Sequence, residues 1–227
     1  MSTRGVTGYV ANGKWYVMYN HSDSYPRWLG MRVLEFCKTV KDWDLVKERV
    51  AQVQLVEGED EVNQEVRELY YQYYSNPNII VGSLNAQDKS ANTWYWFLRN
   101  LQGAEILREI ASGNVKHMID NHLFMRDSLF CEWGYIVDLD EMVLRVYKGI
   151  NKKFDANTAL PPDIANGYFK NGKGSVKNLD GSVISWDDNY YPVKELYAYS
   201  LYNLPEFMLG VTNKFKEQYC KKVLTNL

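Results

Sequence analysis

The sequence predicts an α+β protein, an antiparallel sheet built from hairpins with helices packed against it. Three observations carry that expectation. Two stretches, one at the start and one past the middle, repeat apolar residues with a period of two around turn-forming residues. Several stretches between them repeat apolar residues every three or four positions. No strand–Gly-rich-turn–helix unit occurs, so neither a dinucleotide fingerprint nor a phosphate-binding P-loop is written in the chain. The 227 residues suit a single domain spanning 1–227. A chain of that length buries about 70% of its unfolded surface, enough to fold without a disulfide or a metal.

Residues 5–10 and 14–19 read as two strands around Ala11-Asn12-Gly13. The Asn-Gly pair supplies the positive φ angles of a tight hairpin turn. A polar loop from His21 to Arg27 follows, closed by Pro26. Leu29, Val33, Phe36, Cys37 and Val40 then recur at helical spacing, and Asp42 is a suitable N-cap for a second helix through Trp43, Val46, Val50 and Val53. A third helix is expected over 62–74, ending before Pro77. Residues 76–92 form a polar connection with a short apolar run at 79–81. Helices are expected over 93–101, with the aromatic face Trp94, Trp96 and Phe97, and over 104–111.

The period returns to two at 130–137 and 142–147, a second hairpin around Asp138-Leu139-Asp140-Glu141. In its first strand Cys131, Trp133, Tyr135 and Val137 share a face, and a layer is expected on both sides of it. Residues 151–192 are rich in Gly, Pro, Asn and Asp and read as irregular, with at most short strands. A last helix is expected to place Phe207, Val211, Phe215 and Tyr219 on one face and lysines on the other.

Composition narrows the function classes. The net charge is −2 and no segment is basic throughout, which argues against stable nucleic-acid binding or attachment to an anionic membrane. No apolar run approaches the roughly 18 residues of a bilayer span, and no signal-peptide core is present. Three widely spaced cysteines, Cys37, Cys131 and Cys220, without a CxxC pair, read as reduced thiols of a cytoplasmic protein. His21, His117 and His122 lack metal-ligand spacing, so neither metal nor cofactor is expected. Eighteen tyrosines and seven tryptophans suit either a Tyr-rich core and rim or stacking on ligand rings.

One constellation has the makings of a site. Asn20-His21-Ser22-Asp23-Ser24-Tyr25 is a run of hydrogen-bonding side chains between a strand and a helix, where loops held by rigid elements carry function. The hairpin returns Arg4 beside this loop. Arg4 is suited to phosphate or carboxylate and Asp23 to hydroxyls or amines, while His21 is the residue type for a general base near neutral pH, with Asp23 to orient it. Asn20, Ser24 and Tyr25 complete the ligand-binding set. The structural alternative is an Arg4–Asp23 pair that pins the hairpin to the first helix. Removal of Met1 would expose Ser2 as an N-terminal nucleophile with its own α-amine as base. The order of small nucleophile, hairpin and Asn-x-x-Asp is reminiscent of N-terminal-nucleophile hydrolases and their layered αββα sheets.

The stretch Ser2-Thr3-Arg4-Gly5, with Tyr19-Asn20-His21-Ser22-Asp23-Ser24-Tyr25-Pro26 and Gly30, resembles a widespread, poorly characterised family of bacteriophages, bacteria and fungi. Its members open with a Gly-Thr-Arg-like tripeptide and continue to Asp-(Ser/Gly)-Tyr-Pro-x-x-x-Gly. Residues 132–140 look like that family's second landmark. The positions carried over are Arg4, Asp23, Tyr25, Pro26 and Gly30. Relatives with glycine in place of Ser2, and forms with glutamine in place of His21, give those two residues less weight. The resemblance implies a phage-type accessory protein of the host cytoplasm.

These readings lead to a protein that binds, and in one version hydrolyses, a small anionic nucleotide-like molecule such as a host immune signal. Two alternatives stand beside it: an N-terminal-nucleophile amidohydrolase, and an inhibitor of a host enzyme acting through the Trp94–Phe97 face or the 151–192 loops. A virion role fits the ordinary globular composition less well. Homo-oligomerisation is left open.

Overall fold

Residues 3–74, 92–153, 155–165, 169–170, 174–177, 183–186 and 189–208 are described in a computed structural model of the chain. Ser2, the apolar run at 79–81, Cys220 and nearly all of the helix expected from Phe207 onward lie outside them. The order of elements is β1 (Gly5–Ala11), β2 (Lys14–Asn20), a π-helical turn (Pro26–Gly30), α1 (Met31–Thr39), α2 (Trp43–Ala51), β3 (Gln54–Val56), α3 (Gln64–Tyr70), α4 (Trp94–Leu98), α5 (Ala104–Ser112) and β4 (His117–Ile119). A 3-10 turn (His122–Arg126) then leads to β5 (Trp133–Asp138), β6 (Val143–Lys148), α6 (Pro162–Ala165), four short strands, β7 (Phe169–Lys170), β8 (Gly174–Lys177), β9 (Val183–Trp186) and β10 (Asn189–Tyr190), and finally β11 (Lys194–Ser200).

Both expected hairpins form. Asn12 and Gly13 turn the first with φ of 54° and 72°, and β1 and β2 pair from Gly5↔Asn20 to Ala11↔Lys14. The second pairs β5 with β6 from Trp133↔Lys148 to Asp138↔Val143. The turns lie together, because Asp140 accepts the amides of Asn12 and Gly13 at 2.9 and 2.7 Å. Hairpins so aligned meet through their first strands, and β1 runs parallel to β5. The sheet, ordered β11-β6-β5-β1-β2, is therefore mixed rather than wholly antiparallel. A parallel pair needs a long crossover, and the helical segment between β2 and β5 supplies it.

That segment covers one face. Thr7 and Tyr9 on β1 point into it, donating to the carbonyls of Gly103 (2.9 Å) and Leu107 (2.7 Å). Tyr16, Met18, Tyr135, Val137, Leu144 and Val146 join Val33, Leu34, Phe36, Ile106, Leu107 and Ile110 in the main core. Val6, Val10, Val17 and Ile136 point the other way, under Met125, Cys131, Ile164 and Val193. Strand β5 is buried on both faces, as its continuous apolar run requires. Cys131 nevertheless lies on the opposite side from Tyr135 and Val137, because the strand begins only at Trp133. Among the described residues, the second face is covered by the 122–131 segment and residues 155–165 rather than by a second large sheet.

Helix boundaries follow local signals. Asp42 caps α2 by accepting from the Leu45 amide at 2.9 Å, and Asn63 caps α3 through the Val66 amide. The helix expected over 62–74 is α3 followed by a 3-10 turn, Tyr71–Tyr73, and that over 93–101 is α4 followed by another, Arg99–Leu101. Trp94 and Phe97 are buried in the main core while Trp96 is half-buried, so two of the three rings of the aromatic face offered to a partner protein are used for packing. Among the described residues, no helix is long and apolar enough to cross a membrane.

Candidate functional site

The N-terminal motif sits where β1 and β5 begin and β2 ends, and the structure divides it into an inner and an outer half. Asn20 and Ser24 form the inner half, 8% and 0% exposed. The Asn20 amide donates to the Ser22 carbonyl (2.5 Å) and to Ser24 Oγ (2.8 Å). The Ser24 amide donates to the Thr3 carbonyl (3.0 Å), and the buried Tyr135 hydroxyl donates to the Ser24 carbonyl (2.9 Å). Glycines admit this contact. A methyl group on Gly5 would stand 2.8 Å from Ser24 Cβ, and one on Gly30 would stand 2.9 Å from the Tyr135 ring. Asn20 and Ser24, expected among the ligand-binding residues, thus lock the loop onto the sheet.

The outer half is at the surface. Asp23 takes φ = 55°, a left-handed conformation that Asp tolerates better than most residues. It accepts from the Tyr25 hydroxyl at 3.1 Å, and its carbonyl accepts the Leu29 amide at 3.3 Å as the π-helical turn begins. The Arg27 guanidinium lies 4.9 Å over the Tyr25 ring. Among the described residues no ion pair joins Arg4 to Asp23, so the pinning pair read as the structural alternative does not form. The Arg4 guanidinium instead lies 5.5 Å from the centroid of the Phe130 ring, while its carbonyl accepts the Glu132 amide at 3.0 Å.

His21 joins this surface through partners that the sequence did not indicate. Its Nδ1 lies 3.1 Å from the Tyr19 hydroxyl, and its amide donates to Gln102 Oε1 at 2.9 Å. Tyr19 packs edge-on against Phe124 with centroids 5.0 Å apart. Burial raises the Tyr19 phenol above its ordinary pKa, and the Arg4 charge works in the opposite direction. The Arg4 charge is therefore near enough to be felt at Tyr19. Tyr19, Gln102 and Phe130 were missed because each reads as an ordinary strand or helix-end residue. For Tyr19 the signals were its place at the head of the motif stretch and the β1–β2 register, which sets it opposite Val6, beside the start of the strand. Ser2 lies outside the described residues.

The motif thus presents three contact groups near its surface: Arg4 on Phe130, Tyr19 with His21, and Asp23 with Tyr25 and Arg27. That is chemistry for an oxyanion and a flat ring. A cavity of about 560 Å³ also opens among Phe36, Val46, Arg49 and Arg108 at the ends of α1, α2 and α5, and no motif residue lines it. Among the described residues no group of three His, Cys, Asp or Glu side chains is placed to hold a metal. No protein-family model, curated protein or solved structure matches the chain.

Proposed function

We propose that this protein binds a small anionic, nucleotide-like molecule at the rim formed by Arg4, Tyr19, His21, Asp23 and Tyr25. The observation that carries the reading is Arg4. It is exposed, its guanidinium rests on Phe130, and among the described residues it has no carboxylate within ion-pair distance. An arginine held by an aromatic ring keeps its donor fork available for phosphate or carboxylate oxygens. Tyr19, whose phenol feels the Arg4 charge, and its partner His21 offer hydrogen-bonding groups from the end of β2, and Tyr25 adds a ring next to the Asp23 carboxylate. The resemblance of the motifs extends the proposal to a phage-type accessory protein that withdraws a nucleotide signal from its host.

The experiment is calorimetric titration with inorganic phosphate, adenosine monophosphate and a cyclic dinucleotide, followed by denaturation and recovery of the ligand. Saturable binding of a nucleotide, weakened at least tenfold in Arg4→Ala and partly restored in Arg4→Lys, is the expected result. Recovery of intact ligand assigns sequestration, and recovery of a cleaved product assigns hydrolysis. No uptake of any of the three, or uptake indifferent to Arg4, sinks the proposal.

A further inference from the structure

Residues 155–165 cross the second face of the sheet as a strap fastened at both ends. At the β6–β11 end, Lys194 Nζ lies 2.8 Å from Asp155, the Glu195 amide donates to Thr158 Oγ1 at 3.3 Å, and the Tyr147 hydroxyl donates to the Ala159 carbonyl at 2.8 Å. In the middle, Leu160 and the fully buried Ile164 pack in the cluster that holds Val6, Val10 and Ile136. The α6 end is fastened differently. His122 Nε2 lies 2.9 Å from Asp163 Oδ2, its Nδ1 lies 2.7 Å from Asp120 Oδ1, and Arg126 donates to the Asp163 carbonyl at 3.1 Å.

A neutral imidazole has one N–H and one lone pair, so it donates to a single acceptor. Contacts from both ring nitrogens to carboxylate oxygens are satisfied only by the imidazolium. We propose that His122 is a proton-operated latch, closed on α6 when its ring is charged and released from Asp163 when the ring loses its proton. Asp163 is the partner that lets go. Asp120 is two residues from His122 and also accepts the His122 backbone amide at 3.1 Å, so it retains the remaining ring N–H. The charged groups facing the ring are Asp120, Asp163 and, through the Asp163 carbonyl, Arg126. From β2, Tyr19 packs against the neighbouring Phe124 and brings no charge.

The energetics run the same way. Burial lowers the affinity of His122 for its proton, the two carboxylates raise it, and the net direction is upward from the ordinary histidine value. A raised folded-state pKa means that the latch contributes fully below about pH 6.5. Its contribution is lost as pH rises through the folded value. Asp163 is half exposed, so the change is local and small, of the order of a surface ion pair.

The test pairs two measurements on the full chain. The His122 ring is titrated by proton NMR, its resonance assigned by its absence in His122→Gln. Backbone amide exchange at 163–165 is followed over the same range and corrected for the intrinsic pH dependence of exchange. The latch predicts that His122 titrates above pH 6.5 and that protection at Ile164 falls roughly threefold to fivefold through that titration. In Asp163→Asn the His122 pKa moves down and protection is low and independent of pH. Near-UV circular dichroism of both variants verifies the fold. A His122 that titrates at or below the free-histidine value overturns the proposal, as does protection at Ile164 that ignores the titration.

Discussion

Gly5 stands where β1 enters the sheet, with the Trp133 carbonyl on one side and Ser24 on the other. A methyl group there would lie 2.3 Å from the Trp133 oxygen, a backbone atom that cannot rotate away, and 2.8 Å from Ser24 Cβ. Gly5→Ala therefore forces β1 from β5 or the motif loop from the sheet. We expect it to cost about 3 kcal/mol, measured as a lower denaturant midpoint at unchanged slope. An unchanged midpoint would mean that the loop does not rest on the strand. The same contact explains why the motif was only half legible. A run of polar side chains after a strand marks a loop that matters, yet it does not say which hydroxyls turn inward. Ser24 is buried because Gly5 leaves room for it and Tyr135, far along the chain, donates to its carbonyl. Neither fact is local. Arg4 and Asp23 look equally suited to a pair by composition, but Asp23 is drawn to Tyr25 by its own backbone turn.

At the scale of elements, local chemistry was readable and long-range pairing was not. The Asn12-Gly13 hairpin and the Asp42 cap depend on residues within three positions of one another, and both appear where their residue types place them. For α2 this gives a clean prediction. Asp42→Ala removes the acceptor of the Leu45 amide and is expected to cost about 1 kcal/mol, whereas Asp42→Asn retains most of the stability. Equal losses in the two variants, by chemical denaturation, would show that charge rather than capping is at stake. Among the described residues, strands β3 and β4, three residues each, pair only with one another, too short for a period to register. Strand β11 was invisible because its residues are largely exposed, which leaves no apolar alternation. The outer edge of β2 is closed by Asn121, which accepts the Tyr19 amide through its side chain at 3.0 Å and donates its own amide to Val17 at 2.8 Å. One asparagine thereby occupies an edge open to another strand, a role that no spacing rule reveals.

Across the whole molecule, tyrosine is the residue that joins the layers. Tyr9 ties the sheet to α5 through the Leu107 carbonyl, Tyr135 ties it to the N-terminal motif through Ser24, and Tyr147 ties it to the strap through Ala159. These three of the eighteen tyrosines are thus explained by packing rather than by ligand stacking. They also make the fold sensitive to alkali. Burial pushes all three phenols well above the ordinary tyrosine value, because an ionised phenolate would lose its water and face a carbonyl oxygen. The folded state holds these protons while the unfolded chain releases them near pH 10. Their contribution is intact below that pH and is lost as pH rises above it, at about 4 kcal/mol per pH unit for the three together. The chain is expected to unfold cooperatively above pH 10, with a late rise in phenolate absorbance at 295 nm that coincides with loss of circular dichroism. Tyr147→Phe keeps the ring and removes one ionisation, so its stability should fall less steeply with pH even though the Ala159 bond is lost. Smooth ionisation of all eighteen tyrosines with the native spectrum intact would mean that these rings reach water without unfolding, and that they do not bind the layers together.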